Sequence, residues 1–489
     1  MNRWISTPYR RFAWTAMAFM FASVFMFSLS GRADPAPDQT LSIGDLMTRL
    51  IALPALLATA VLALTTAATI TPASASTVKS TEQSAQPKPF VAQVVGLEWL
   101  NPLQRRDYPT EWQLLWTLGL VKPNKNDYYL KTEPEKFATL QSIGMIAAGG
   151  DGEETFKGYH HKYIEALTIL FHDRYFSDPN YFYTVHPDDK AKWREAAGLR
   201  VEYALPEGKL DPLEAADFVV KRLVRNFEIG PPFPSSLWTR ATPPDVRITM
   251  GGPNAGFTSL SAALNYLQSH PKESVWAMNW DAPSRPKDDQ INENMVLLIL
   301  AGAEFDTGRE PLAWIGHPAS RPVSDFEARK GEPPRIVQAW KAVFDAAARN
   351  GNRLDTDIGY VIHDASNAHG STSERIGPLA QALTTELPEF DFVKQSFNTP
   401  ALLGDMGAGT ALTNVALGIA YANHFGKNVL VAGTTHSQQP TAVLVVPPAK
   451  VRPIKPDEDW FRARGEGNAF LPWWGLRHDA KPQQQGYSD

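Results

Sequence analysis

Histidines and acidic residues that could bind a metal are concentrated in one stretch of the chain. Five of them lie close together: His160, His161, Glu165, His172 and Asp173. The segment 159–173 is predicted to be an amphipathic helix, and three of the five could share a face at i, i+4 and i+11. A metal site needs ligands that converge with a fixed geometry, and this spacing matches no established ligand motif. The pattern therefore favours a solvated polar helix face, and no metal site is predicted.

Nucleophiles and cofactor motifs are sparse. The sequence contains no cysteine, which excludes disulfides, cysteine metal sites, iron–sulfur clusters and thiol nucleophiles. It has no G-x-S-x-G nucleophile elbow, no Walker-type loop and no G-x-G-x-x-G turn that opens a helix. Asp306, Asp355 and Asp357 are isolated acids near turns, which is typical of surface or capping residues. No cofactor is predicted.

Composition limits the class of protein. The 489 residues suggest two or three domain-sized units. A content of 43% hydrophobic and 20% charged residues is typical of globular proteins and excludes wholesale disorder. Lys and Arg total 47 against 52 Asp and Glu, a net charge of −5, which excludes a basic nucleic-acid footprint over the whole chain. We therefore expect no nucleic-acid partner.

Two uncharged stretches indicate membrane attachment within residues 1–78. The first, residues 12–29, follows several arginines, which predicts a spanning helix with a cytoplasmic N-terminus. The second, residues 50–78, is either a second span or, read from Met47, a secretory signal with a small-residue cleavage site. The first alternative places the body on the cytoplasmic side of the inner membrane, and the second places it in the periplasm.

The two ends of the body have a different composition. Residues 79–90 are rich in Ser, Gln and Pro and are predicted to be a flexible linker. Residues 451–489 form a tail rich in Pro, Gly and charge that carries Trp460, Trp473 and Trp474. The tail either docks a partner or folds back over the body, and the second interpretation is favoured.

The body repeats itself at a spacing of about 150 residues. Each copy has a glycine-bearing turn, a small-residue helix and two apolar strands: Ala255, Val275–Met278 and Met295–Leu300, then Ala408, Val429–Ala432 and Ala442–Val446. Thin helices suit burial between sheets, and continuous apolar strands suit sheets that are covered on both faces. The sequence therefore predicts two related halves, residues 91–325 and 326–450, packed as a five-layered α/β/α/β/α body.

This organisation resembles the thiolase fold of thiolases and ketoacyl synthases. Gly404–Gly409 (GDMGAG) is similar to the glycine motif of the second-half helix in that superfamily. Asn367–Ser373 (NAHGSTS) resembles the ketosynthase motif with its first active histidine, here His369, and an alternative placement uses His363-Asp364. The resemblance covers roughly residues 90–446, with insertions in the first half that the pattern does not explain.

The resemblance implies Claisen-type acyl transfer, but the residues for that reaction are missing. The reaction needs a thiolate at the N-terminus of the first buried helix, where the helix dipole and backbone N–H groups stabilise negative charge. Residues 252–256 (GPNAG) contain no nucleophile there, and the family's second histidine would fall near Ala408. We therefore predict no catalytic residue and a degenerate pocket whose candidate residues are Asn254, Gly256, His363, His369, Asp405 and Gly407.

The aromatic-rich first half also resembles the bacterial type VI lipase adaptor family, through residues 98–102 (EWLNP), Trp112, Trp116 and Tyr128-Tyr129. This resemblance implies a non-enzymatic adaptor that binds a phospholipase effector and helps to load it onto the type VI secretion spike. Loading is cytoplasmic, which the two-span interpretation satisfies and the signal-peptide interpretation does not. Two alternatives stay open: acyl transfer that uses His369 or His363, and a lipid-binding module that holds an acyl chain without reacting.

Overall fold

A computed structural model of the chain describes residues 89–101, 110–122, 131–132, 155–179, 181–282, 293–365 and 372–454. All of them belong to one of the two compact units into which the chain divides, residues 87–489. The predicted membrane segments of residues 1–78, and the three tail tryptophans, lie outside the described residues. Within the described ranges, no helix has the length and apolar character needed to cross a membrane.

Strands and helices alternate along the described body. The strands are β1 (Val91–Leu100), β2 (Arg200–Pro206), β3 (Asp245–Gly251), β4 (Ser274–Asp281), β5 (Asn294–Gly302), β6 (Ala313–Gly316), β7 (Ala319–Ser320), β8 (Ile358–His363), β9 (Ser396–Asn398), β10 (Asn428–Gly433) and β11 (Thr441–Val446). The helices are α1 (Thr110–Thr117), α2 (Phe156–Ser177), α3 (Pro212–Asn226), α4 (Ala255–Ser269), α5 (Arg335–Asn350), α6 (Thr372–Glu386), α7 (Thr399–Leu403) and α8 (Thr410–Phe425).

The strand order confirms that the body is duplicated. The described strands form one hydrogen-bonded path, β3-β2-β4-β5-β1-β6-β11-β10-β8-β9, with β7 beside β11. In the first half β3, β2 and β4 are parallel, and β5 and β1 follow antiparallel. The second half repeats this arrangement with β9, β8 and β10, then β11 and β6. The α/β fold with two related halves is therefore present.

The halves meet through hydrogen bonds between strands. β1 pairs antiparallel with β6, so that Val91 lies opposite Gly316 and Val94 opposite Ala313. Since β6 also pairs with β11, it belongs topologically to the second half. The second half therefore begins before residue 313, earlier than the boundary predicted at residues 325/326. The sequence did not reveal β6, because a strand of four residues is too short for its pattern to be recognised.

Side chains that alternate along the strands separate three hydrophobic cores. On β4, Val275 and Ala277 face a central core, whereas Trp276 and Met278 face an outer core, and β5 and β10 alternate in the same way. The central core contains α4 and α8. The first outer core contains α2 and α3, and the second contains α5 and α6. This is the predicted five-layered arrangement.

Helix α1 is an addition that the second half does not repeat. Its side chains belong to the central core, where Leu114 and Leu115 are fully buried. Glu111 on α1 is buried, and its Oε1 atom lies 2.8 Å from Nε2 of His424 at the C-terminal end of α8. The corresponding link from β6 to α5, which is described throughout, contains β7 and a 3-10 turn but no α-helix. Part of the unexplained insertion thus packs against the central helix of the other half.

Candidate functional site

The N-terminus of α4, the first central helix, carries no side chain that could act as a nucleophile. Helix α4 begins at Ala255, and the side chain of the N-cap residue Asn254 makes no capping hydrogen bond. Its Oδ1 atom is buried without a hydrogen-bond partner. A Cβ added at Gly433, the last residue of β10, would overlap this oxygen. Asn254 therefore packs against the second half, at the position where a thiolase fold would need its nucleophile.

Gly256 lies where the two central helices cross. A Cβ at this position would be 2.9 Å from Ala411 Cβ and 3.1 Å from Leu412 Cγ, both on α8. Such distances are shorter than ordinary van der Waals contacts, so only glycine lets α4 and α8 approach this closely. The candidate pocket residue Gly256 thus has a packing role.

His363 is the last residue of β8 and Asp364 follows it, but the two side chains interact with different partners. The His363 ring is 1% exposed and stacks on Phe392 with centroids 5.6 Å apart. Burial lowers the pKa of His363 to about 4, so the imidazole is neutral at pH 7. Asp364 instead accepts hydrogen bonds from the backbone and hydroxyl of Thr434 (2.5 and 2.8 Å) and from the Thr435 hydroxyl (2.9 Å). This geometry holds the loop after β10 against β8.

The other candidate histidine cannot be placed. His369, with most of the NAHGSTS motif, lies outside the described residues. Its role remains the sequence-based prediction.

Asp405 and Gly407 form the turn that leads into the second central helix. Asp405 is exposed, and its Oδ1 accepts the backbone N–H of Gly407 at 2.9 Å. Gly407 has φ +49°, and a Cβ there would overlap Oδ2 of Asp281. Both residues therefore shape the turn before α8, a structural role that the sequence suggests for Asp405.

Asp281 is the residue of this region that sequence reasoning missed. It is the last residue of β4 and is 6% exposed. Its Oδ1 accepts from Lys209 Nζ at 2.8 Å and from the N–H of Ala282 at 2.7 Å, while Oδ2 accepts from the N–H of Ala408 at 3.0 Å. Burial raises the pKa of Asp281, and these donors oppose the rise. One carboxylate of the first half thus caps the turn before α8.

The polar cluster on α2 does not converge on a metal. The His161 ring stacks on Phe218 with centroids 3.5 Å apart, and Glu165 pairs with Arg222. His172 contacts its neighbour Asp173. No group of three possible ligands occurs in the part of the chain that the structure describes.

One member of this cluster contradicts the prediction of a solvated helix face. His160 is 1% exposed, because its ring packs against Tyr203 and Trp280 with centroids 5.8 and 5.2 Å away. Burial and the neighbouring His161 lower the pKa of His160 to about 3. The helical spacing did not reveal this, since the aromatic partners come from distant strands.

A family of known proteins is similar to the second half. Residues 312–447 match the family model described as "Type VI lipase adapter protein Tla3, C-terminal". The predicted resemblance to the type VI lipase adaptors is confirmed, but by the second half and not by the first-half residues from which it was drawn. The matched segment runs from just before β6 to just after β11, which is the second half as the sheet defines it. No curated protein matches the chain.

Several solved structures similar to this chain are ketosynthases. The ketosynthase domain KS8 of OzmH from Streptomyces albus JA3453 is 12% identical with a TM-score of 0.44, covering 77% of this chain and 100% of that one. The ishigamide ketosynthase/chain length factor is 14% identical with a TM-score of 0.45, covering 73% and 99%. The ketosynthase from module 6 of the bacillaene synthase of Bacillus subtilis 168 is 10% identical with a TM-score of 0.45, covering 73% and 72%.

Proposed function

We propose that this protein is a non-enzymatic adaptor that binds a phospholipase effector and helps to load it onto the type VI secretion spike. The observation that carries the proposal is the match of residues 312–447 to the C-terminal region of a type VI lipase adaptor. These residues form a complete structural half, β6 to β11 with its covering helices. The similarity therefore concerns a folded unit and not a short motif.

The chemistry of the central layer supports a scaffold without turnover. The head of α4 presents an amide, a methyl group and a glycine, and the sequence has no cysteine. His363 is neutral and stacked on Phe392, and Asp364 is fully engaged with Thr434 and Thr435. Acyl transfer requires an activated nucleophile within reach of a base, and these described side chains do not provide that pair.

A surface for the lipase is available within the matched half. Tyr360, Tyr421 and Phe425 stack in series, with ring centroids 3.8 and 4.7 Å apart, and we call them the aromatic ladder. Its outermost member, Phe425, is 43% exposed. Aromatic side chains that are held rigid by packing act as interface anchors. In this proposal, the aromatic ladder contacts the phospholipase effector.

Co-purification tests the adaptor function. The full chain, tagged and expressed at native level in its own bacterium, is purified under gentle conditions. The eluate is then assayed for phospholipase activity and examined by mass spectrometry for a lipase and a spike protein. We expect both proteins together with lipase activity. If neither protein co-purifies, the adaptor function is wrong.

The same purified protein tests the lipid-binding alternative. Mass spectrometry under native conditions measures whether an acyl chain is bound in a stoichiometric amount. The adaptor proposal predicts the mass of the protein without a bound lipid. A bound acyl chain in the absence of a lipase would favour the degenerate-pocket alternative instead.

The location of the body is part of the proposal. We propose that residues 1–78 attach the protein to the inner membrane and that the body is cytoplasmic, where effectors are loaded. A reporter fused after residue 90 distinguishes the two sides: a cytoplasmic reporter becomes active in the proposed topology. Activity of a periplasmic reporter would instead support a signal peptide that begins at Met47.

A further inference from the structure

A cavity of about 160 Å³ lies on the outer side of the first half, away from the central layer. Residues from the start of α2, the loop after β2 and the start of α3 line it, including Lys157, His160, His161, Lys209, Asp211 and Glu214. At about 30 Å³ per water molecule, this volume holds about five waters or one small organic molecule. Lys209 follows β2 and contacts the end of β4, so the cavity is at the carboxyl edge of parallel strands, where α/β sheets commonly bind ligands.

Hydrogen-bond donors beside this cavity are not used by the protein. His160 lines the cavity, is 1% exposed, and its Nε2 has no hydrogen-bond partner. The rings that pack against it, Tyr203 and Trp280, also have a buried OH and Nε1 without a partner. An indole N–H can only donate. Burying such groups unpaired is unfavourable, so three of them in contact indicate a missing hydrogen-bond partner.

The nearby carboxylates do not accept from these three groups, which have no hydrogen-bond partner, and each carboxylate is held by another donor. Asp211 caps α3 by accepting the N–H groups of Leu213 and Glu214, both at 2.9 Å. Glu214 pairs with Lys157 at 2.8 Å. Asp281 accepts from Lys209 and, on its other oxygen, from the N–H of Ala408. These carboxylates are therefore held by other donors, while Nε2 of His160, the OH of Tyr203 and Nε1 of Trp280 stay without a partner.

The positive charge for binding an anion comes from Lys209. Its Nζ lies 2.8 Å from Asp281 Oδ1 and 3.1 Å from the carbonyl of Ala282, and 4.6 Å from the centre of the Phe156 ring. An ammonium group has three N–H donors, so one remains beyond these two hydrogen bonds. The side chain is 32% exposed, which leaves a path from solvent.

We propose that this cavity binds a small oxyanion, a carboxylate or a phosphate, through Lys209 and His160. The anion accepts hydrogen bonds from the Lys209 ammonium and from Nε2–H of His160. Lys209 also holds Asp281, and Asp281 caps the turn before α8 in the half that matches the lipase adaptors. Binding at Lys209 therefore changes the charge that faces this cap. The proposal does not depend on the adaptor function.

Calorimetric titration of the purified full chain tests the site. Sodium phosphate and sodium acetate are titrated separately at constant ionic strength, with sodium chloride as the reference. We expect saturable binding of one equivalent of one of the two anions, and the anion that binds identifies the ligand class. If neither anion binds in a saturable manner, the cavity holds water only and the proposal is wrong.

Variants locate the binding. We expect Lys209→Met and His160→Phe each to weaken binding at least about tenfold, the loss for one charged hydrogen bond. Lys221→Met is the matched control, because Lys221 is 72% exposed on α3 and is not among the residues that line the cavity. It should bind like the wild type. If Lys209→Met does not fold, His160→Phe is the deciding variant, because phenylalanine keeps a ring packed against Tyr203 and Trp280. Unchanged binding in both cavity variants would overturn the proposal.

Discussion

The two halves of the body have the same strand order and sense, but they bury very different side chains. The first outer core is built from aromatic rings, among them Tyr163, Tyr203, Trp276 and Trp280. The second outer core is mainly aliphatic, with Trp340 and Phe344 on α5. Nε2 of His160, the OH of Tyr203 and Nε1 of Trp280 are buried without a partner in the first half. The described hydrophobic residues of the second outer core leave no such atom.

The two halves of the duplicated scaffold therefore differ in the chemistry of their outer cores. The half that matches the lipase adaptors has a mainly aliphatic outer core. The first half carries α1, the buried Glu98 and the polar cavity. Polar contacts that couple the halves include those of Asp281 with Ala408 and of Glu111 with His424. The following four predictions test this asymmetry.

The largest expected effect concerns Glu98, a buried acid of β1. The strand of the second half that corresponds to β1 is β6 (AWIG), and it contains no acidic residue. Burial raises the pKa of Glu98 to about 8, although Thr110 and the N–H of Trp99 donate to it. The folded state therefore keeps a proton that the unfolded state loses above about 4.5. Stability should fall by ~1.4 kcal/mol per pH unit as the pH rises from 4.5 to 8.

Urea unfolding at pH 5, 7 and 9 checks this prediction. Glu98→Gln keeps the shape and the hydrogen bond with Thr110 but cannot ionise, so it should lose much less stability between pH 5 and 9. If the variant and the wild type show the same pH dependence, Glu98 does not hold a proton in the folded state.

The buried histidines of the two halves should make stability depend on pH in the direction opposite to that of Glu98. Burial lowers the pKa of His160 to about 3 and that of His363 to about 4, both from 6.5. The unfolded state then binds a proton that the folded state excludes, so stability falls as the pH drops below 6.5. His160→Phe and His363→Phe should each flatten this acid slope, and His160→Phe should do so down to lower pH. Thermal unfolding between pH 7 and about 3 measures both slopes, and equal curves for wild type and variants would contradict the assignment.

The third prediction compares two aspartates at one turn. Asp281 reaches the turn before α8 from the first half, whereas Asp405 lies within the turn and is exposed. Asp281→Asn should cost about 1–3 kcal/mol of unfolding free energy, because Lys209 and the N–H of Ala408 lose a charged acceptor. Asp405→Asn, the matched control, should cost less than ~0.5 kcal/mol. Faster hydrogen exchange at Ala408 in the first variant alone would locate the effect, and equal losses would argue against a coupling through Asp281.

The smallest expected effect separates a packing glycine from an exposed one. Gly256→Ala places a methyl group against Ala411 and Leu412, a close contact that costs ~1–3 kcal/mol and is partly offset by ~1 kcal/mol of helix propensity. We expect a net loss of about 1 kcal/mol. Gly377→Ala on α6, where nothing lies within 4 Å of the added Cβ, should gain ~0.5–1 kcal/mol. Denaturant midpoints give both values, and the same sign for both would show that the central helices do not cross tightly.

The sequence predicts the repeated elements well. The strands predicted at Met295–Leu300 and Ala442–Val446 are β5, which is longer at both ends, and β11, which begins one residue earlier. These segments are continuous apolar runs in a sheet that is covered on both faces, so their pattern is strong. The glycine-bearing turns before α4 and α8 were also predicted. Close helix crossings require small residues, and these stand out in the sequence.

The candidate site was predicted less completely, because its contacts join residues far apart in the sequence. Asp281 and Ala408 are 127 positions apart in the sequence. The residues that begin with Asp281 (DAPS) do not indicate such a partner. His160 looked like a residue of a solvated helix face, since the aromatic rings that bury it come from β2 and β4. Helical periodicity describes one element at a time and cannot report these tertiary contacts.

Direct binding between the full chain and the co-purified phospholipase tests the central claim, an adaptor that uses its second half. Phe425→Asp disrupts the aromatic ladder, and Leu213→Asp places the same charge at a position that is 79% exposed in the first half. We expect Phe425→Asp to raise the Kd at least about tenfold, as for an interface anchor, and Leu213→Asp to leave it unchanged. Absence of binding by the wild type, or equal affinities of the two variants, would contradict the account.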